Sequence, residues 1–120
     1  MALILFVDDD PLTLETMSRA VQLLGHQALI ASTGTEAMRI VEQQRLDLIF
    51  VDIRLPDMDG FDLIQRFTHE NSTSGVPTLV LSADPDVLSA EKALSAGARE
   101  YVSKPVRLQE LETLITNYAP

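Results

Sequence analysis

Two hydrophobic rhythms alternate along the chain. Short apolar runs at Leu3–Val7, Ala28–Ala31, Leu48–Val51, Thr78–Leu81 and Tyr101–Val102 are bounded by polar or turn residues. Each is too short for a helix. Their Ile, Leu and Val content, with little polar alternation, is the pattern of strands buried on both faces of a parallel sheet. Between them apolar residues recur at steps of three and four: Leu14, Met17, Val21 and Leu24; Ala37, Ile40 and Val41; Phe61, Ile64 and Phe67; Val87, Ala90 and Leu94; Leu108, Leu111, Ile115 and Tyr118. This spacing predicts five amphipathic helices. Punctuation agrees, with Gly25 as a stop after the first helix and capping residues in Ser32-Thr33-Gly34-Thr35, Asp59-Gly60 and Asp84-Pro85-Asp86 before the next three.

The order is βα repeated five times. Strands joined through helices run parallel, and right-handed crossovers put helices on both faces of the sheet. The expected fold class is therefore α/β, with the functional edge at the carboxyl ends of the strands. Glu70-Asn71-Ser72-Thr73-Ser74-Gly75 reads as a polar connection before the fourth strand.

Composition narrows the function. A chain of 120 residues with 46% hydrophobic content fits one globular domain, residues 1–120. It has no cysteine, which excludes disulfides, thiolate metal sites and a cysteine nucleophile, and suits the reducing cytoplasm. The formal net charge of -9 repels phosphate backbones and argues against direct nucleic-acid binding. The apolar stretch Ala2–Val7 falls far short of the roughly 20 residues that span a bilayer, and no basic segment precedes it, so neither membrane span nor signal peptide is expected.

The informative polar residues fall at one structural level. Asp8, Asp9 and Asp10 follow the first strand, Asp52 ends the third, Ser82 ends the fourth and Lys104 ends the fifth. The ends of an open parallel sheet line one crevice, so these residues converge. Convergent carboxylates repel and raise each other's pKa unless a cation intervenes. Oxygen donors without His or Cys suit Mg²⁺ and not zinc. A nearby lysine and hydroxyl suit a phosphoryl group, and a carboxylate beside the metal can become its covalent acceptor. Asp52, ending the central strand, is the candidate.

These residues resemble the receiver domain of bacterial two-component response regulators over essentially the whole chain. The matching pieces are Leu5-Phe6-Val7-Asp8-Asp9-Asp10-Pro11, Val51-Asp52-Ile53-Arg54-Leu55-Pro56-Asp57-Met58-Asp59-Gly60, Leu81-Ser82-Ala83, and Ala96-Gly97-Ala98-Arg99-Glu100-Tyr101-Val102-Ser103-Lys104-Pro105. The resemblance implies a flavodoxin-like five-stranded parallel sheet of order 2-1-3-4-5. It implies that Asp52 takes a phosphoryl group from a histidine kinase or histidine phosphotransfer protein. Asp8 and Asp9 would hold Mg²⁺, Asp9 more directly, together with Asp52 and the backbone carbonyl of Arg54. Lys104 would bind the phosphoryl group, with Lys104-Pro105 commonly cis in the family. Ser82 and Tyr101 stand at the switch positions, and their movement would alter the surface of the fourth helix, fifth strand and fifth helix for a downstream effector domain or protein, or for a phosphorylation-dependent homodimer. Departures are Ser82 for the commoner Thr, Val106 where an aromatic is frequent, a longer connection before Pro77, and a small Ala83. None removes a required chemical group.

Several of these residues also have plainer readings. Asp10 and Asp59 read as helix caps, Asp57 as a solvated loop acid, and His26 and His69 as surface residues. Met17, Met38 and Phe67 read as core, and Tyr118 as packing for the last helix. A haloacid-dehalogenase-like phosphatase would need a second aspartate two residues after the nucleophile, where this chain has Arg54. The expectation is a switch and not an enzyme. A phosphorylation-independent interaction module of the same fold is the alternative.

Overall fold

A computed structural model describes residues 1–70, 73–83 and 87–120. Strands β1 (Leu3–Val7), β2 (Gln27–Ala31), β3 (Leu48–Asp52), β4 (Thr78–Ser82) and β5 (Glu100–Ser103) alternate with helices α1 (Pro11–Leu23), α2 (Gly34–Gln43), α3 (Gly60–His69), α4 (Val87–Ala96) and α5 (Leu108–Tyr118). The strands form one sheet of order β2-β1-β3-β4-β5, with every neighbouring pair parallel. This is the expected α/β fold. Strand ends reach one residue further than the apolar runs, to Gln27, Asp52, Ser82, Glu100 and Ser103, because ladder pairing continues into polar residues. Asn71, Ser72, Asp84-Pro85-Asp86 and the side chain of Val87 lie outside the described residues.

Alternate residues of each strand feed two cores, one on each side of the sheet. Ile4, Phe6, Leu48, Phe50, Leu79, Leu81 and Val102 pack with α1 and α5 through Leu14, Met17, Val21, Leu111, Leu114 and Ile115. Leu5, Val7, Ile49, Val51 and Val80 pack with α2, α3 and α4 through Ala37, Val41, Leu63, Ile64, Phe67 and Ala93. Phe6 and Phe50 stack at the centre of the first core, ring centroids 5.0 Å apart. Each fully buried side chain of this size contributes about 1.5–3 kcal/mol of transfer free energy. Among the described residues no helix is long and apolar enough to cross a membrane.

Helix starts follow local chemistry. Asp10 caps α1 by accepting from the Leu12 amide at 3.2 Å, Thr33 caps α2 through the Glu36 amide at 3.0 Å, and Asp59 caps α3 through the Phe61 amide at 2.8 Å. Gly25, at φ 87°, follows α1 in the left-handed conformation that ends helices. The periodicity misassigned two leucines. Leu94 and Leu108, expected on inward faces, are 51% and 46% exposed; Ala93 takes a buried position in α4, while Leu111 and Ile115 are buried as expected. In the polar connection before β4, Glu70, Ser74 and Gly75 are exposed, and one residue turns inward. Thr73 is buried and its hydroxyl donates to the Phe67 carbonyl at 2.7 Å, satisfying an orphan acceptor at the end of α3.

Candidate functional site

Strand register builds the site. Val7 pairs with Val51, so β1 and β3 end side by side and release Asp8 and Asp52 at one level. Ser82 pairs with Ser103, and the Lys104 amide donates to the Ser82 carbonyl at 2.8 Å, bringing the fourth and fifth strand ends to the same edge. Asp8 is anchored twice, once through its backbone and once through its side chain. Its own amide donates to the Ala31 carbonyl at 3.0 Å, and its Oδ1 accepts from the Asp10 amide at 2.9 Å. The Lys104–Pro105 peptide is cis, as the resemblance implied.

Carboxylate oxygens of Asp8, Asp9 and Asp52 all lie within 4.8 Å of one another. At such separations two like charges repel by about 3–4 kcal/mol at an effective dielectric constant of about 20. Lys104 relieves part of that repulsion. Its Nζ donates to Asp8 Oδ2 at 2.5 Å and to Asp52 Oδ2 at 2.8 Å. The remaining oxygen of Asp52, Oδ1, accepts from the Arg54 amide at 2.9 Å. Asp8 is buried, Asp52 and Lys104 are half-buried, and Asp9 faces solvent.

Burial pushes the Asp8 carboxyl above its ordinary value, and the Asp52 charge adds to this; the Lys104 and Asp10 hydrogen bonds only partly offset the rise. Burial alone would lower the Lys104 ammonium, but its hydrogen bonds to Asp52 and Asp8 outweigh it and the shift is upward. The lysine is therefore held as a cation beside a buried acid that lacks enough positive charge. Three carboxylates against one ammonium leave an excess of negative charge, and the donor set is oxygen alone. That set fits a hard divalent cation such as Mg²⁺, held by Asp8, Asp9 and Asp52.

Of the other expected residues, Ser82 is buried and Tyr101 half-buried on neighbouring strands. Val80 and Tyr101 share a register position two residues before Ser82. Asp10 and Asp59 are caps as anticipated. Met17 and Phe67 are core, and Met38 is half-buried. Tyr118 is half-buried, and its hydroxyl donates to Glu100 Oε2 at 2.6 Å. His69 is exposed, but His26 is half-buried and its Nδ1 accepts from the Ala2 amide at 2.9 Å, so it ties β1 to the turn before β2.

Asp57 is exposed on its loop, as expected of a solvated acid, but it also has specific partners. Its Oδ1 accepts from the Gly34 amide at 2.8 Å, and its Oδ2 accepts from the Thr35 amide at 2.9 Å and the Thr35 hydroxyl at 2.6 Å. These bonds, the Thr35 hydroxyl foremost, pull its carboxyl down to about 2. The available clue was the first turn of α2. Its amides outnumber what the Thr33 hydroxyl can satisfy, so a distant acceptor was needed.

The chain matches the response regulator receiver domain family over residues 4–116. It is 30% identical to the protein PilH of Pseudomonas aeruginosa over 115 residues, covering 96% of this chain and 93% of PilH. It is 36% identical over 110 residues to the transcriptional regulatory protein KdpE of Mycobacterium tuberculosis, covering 92% of this chain and 47% of KdpE. The chain thus spans about half the length of several regulators that it matches. In three dimensions it resembles the receiver domain of the sensor histidine kinase PA1611 of P. aeruginosa, solved with a magnesium ion coordinated in its active-site cleft. The TM-score is 0.90 at 29% identity, over 98% of this chain and 96% of that one.

Proposed function

The chain belongs to the response regulator receiver domain family, and from that premise we propose that it is a phosphorylatable switch whose acceptor is Asp52. The observation that carries this reading is the bridge of Lys104 Nζ between Asp8 and Asp52, with Asp9 alongside, at the carboxyl edge of the sheet. In the proposed reaction an Asp52 carboxylate oxygen attacks phosphorus in a phosphohistidine of a histidine kinase or phosphotransfer protein. The new O–P bond forms as the P–N bond breaks, and the ring, carrying a proton on its other nitrogen, leaves as neutral imidazole. The product is an aspartyl phosphate.

Asp8, Asp9, Asp52 and the Arg54 carbonyl would hold Mg²⁺, which when bound offsets charge on the phosphoryl oxygens. Lys104, already 2.8 Å from Asp52, supplies a cation within reach of a phosphoryl oxygen on that carboxylate. The Arg54 amide, 2.9 Å from Asp52 Oδ1, orients the acceptor. The buried Ser82 hydroxyl is the donor proposed to follow the phosphoryl group, with Tyr101 moving after it. The surface of α4, β5 and α5 would carry the output to an effector domain, a separate protein or a second copy; Leu88, Leu94 and Leu108 on these helices are already exposed.

The role is stoichiometric acceptance and release, not turnover as an enzyme. It is assigned to the cytoplasm, with no direct nucleic-acid or membrane contact, in keeping with the net charge of -9 and the lack of cysteine. The alternative of a phosphorylation-independent module has no observation in its favour, because each chemical group is present. Beryllofluoride with Mg²⁺ tests the reading. Amide resonances of Asp52, Arg54 and Lys104 are expected to shift with one-to-one stoichiometry in the native chain and to stay unmoved in Asp52→Ala. An unshifted native spectrum contradicts it.

A further inference from the structure

The segment from Ile53 to Asp59 carries Arg54, whose amide holds Asp52. It closes on itself, with an antiparallel bridge between Arg54 and Asp59 and the Gly60 amide donating to the Ile53 carbonyl at 3.0 Å. Ile53, Leu55 and Met58 rest partly buried against the second core. A polar tie also fastens the loop to the first turn of α2, more than twenty residues away in sequence. Asp57 takes the Gly34 and Thr35 amides and the Thr35 hydroxyl with both carboxylate oxygens. Met58 packs directly on Gly34, where a Cβ would run into its thioether.

Helix α2 does not need Asp57 as its primary cap, since Thr33 already accepts from Glu36. The amides of Gly34 and Thr35 are ones that the local cap leaves over. Just before that turn, the last residue of β2 holds the other acidic loop, because the Ala31 carbonyl accepts from the Asp8 amide at 3.0 Å. Residues 31–35 therefore tether both loops that bear the candidate metal-binding acids, one through Ala31 and one through Asp57.

We infer that Asp57 is a positioning residue for the acidic site: by gripping the first turn of α2 it holds the Arg54 backbone against Asp52. It touches neither the metal donors nor the acceptor itself. Its effect falls on how well the site is assembled before a cation arrives, and so on cation affinity. The carboxyl's low pKa keeps the grip intact throughout the physiological range.

This inference rests on the proposed function, and the test separates the two. The native chain, Asp57→Ala, Asp57→Asn and Thr35→Val are titrated with Mg²⁺ by amide NMR, and adduct formation with acetyl phosphate is followed across the same Mg²⁺ range. Asp57→Ala is expected to raise the Mg²⁺ midpoint about 5–10-fold, with the adduct rate at saturating Mg²⁺ within about twofold of native. Asp57→Asn, which keeps one acceptor oxygen, and Thr35→Val, which loses only the hydroxyl bond, should fall between. A merely structural role would lower the unfolding midpoint and leave the Mg²⁺ midpoint in place. If Asp57→Ala does not fold, Thr35→Val decides, and a native Mg²⁺ midpoint in that variant overturns the inference. A native chain that neither binds Mg²⁺ nor forms adduct overturns the proposed function and this inference with it. A native chain that does both, beside folded variants with its midpoint, overturns the inference alone.

Discussion

Asp8 is the residue where the conflict between folding and function is sharpest. It is 3% exposed and close to two other acids, and burial raises its pKa. The folded state therefore binds the Asp8 proton more tightly than the unfolded chain does. A raised carboxyl contributes stability that is present below the unfolded value near 3.8 and is lost as pH rises through the folded value. In metal-free protein Asp8→Asn is accordingly expected to raise the thermal midpoint at pH 7, and the advantage should shrink as pH falls toward 4. The same variant should lose most of the stabilisation that Mg²⁺ gives the native chain. Thermal melts with and without Mg²⁺ between pH 4 and 8 check both. A native chain more stable than Asp8→Asn without metal at pH 7 would contradict this account of the site.

Asp57 has the opposite sign. Its carboxyl is held at about 2 against an ordinary 3.8, so its contribution is present above the ordinary value and disappears as pH falls from near 4 toward 2. The stability difference between native protein and Asp57→Asn should close over that window. Both acids were visible in the sequence as acids, but only one as a candidate for the site. Asp8 stood directly after a strand, where topology alone brings it to the crevice. The partner of Asp57 lies 22 and 23 positions away, and no local pattern announces it.

Among the elements, the junction of β3 and α3 is the most constrained. Gly60 opens α3 and is buried, and a Cβ there would run into the Ile53 backbone and the Asp52 carbonyl. Neither obstacle can rotate away. Gly60→Ala is expected to cost about 1–3 kcal/mol of stability and to disturb the site through Asp52, measured by urea unfolding together with the Mg²⁺ titration. Four strands were legible to within a residue at each end because buried parallel strands are continuous apolar runs, and Tyr101–Val102 marked the centre of the fifth. Helix existence was equally plain. Helix facing was not: α4 is rich in small and apolar residues, so its period points to no single face. Both of its leucines, Leu88 and Leu94, turn outward, and Ala93 takes a buried position.

For the whole molecule, the sheet separates two apolar cores and leaves polar chemistry to one edge. Order 2-1-3-4-5 puts β1 and β3 side by side at its centre, and with them the strand ends that release Asp8 and Asp52. Lys104, 52 residues beyond Asp52, closes the site from β5 across the intervening end of β4. That convergence could be inferred from the βα alternation. The paired grip of Lys104 on two carboxylates could not, since it depends on side-chain reach across the strand ends.

Intact-protein mass after incubation with acetyl phosphate, with and without Mg²⁺, tests the central claim most directly, with Asp52→Ala alongside. One added phosphoryl group that requires Mg²⁺ and is absent from the variant is the expected result. An unmodified native chain, or an adduct that persists in Asp52→Ala, contradicts Asp52 as the acceptor.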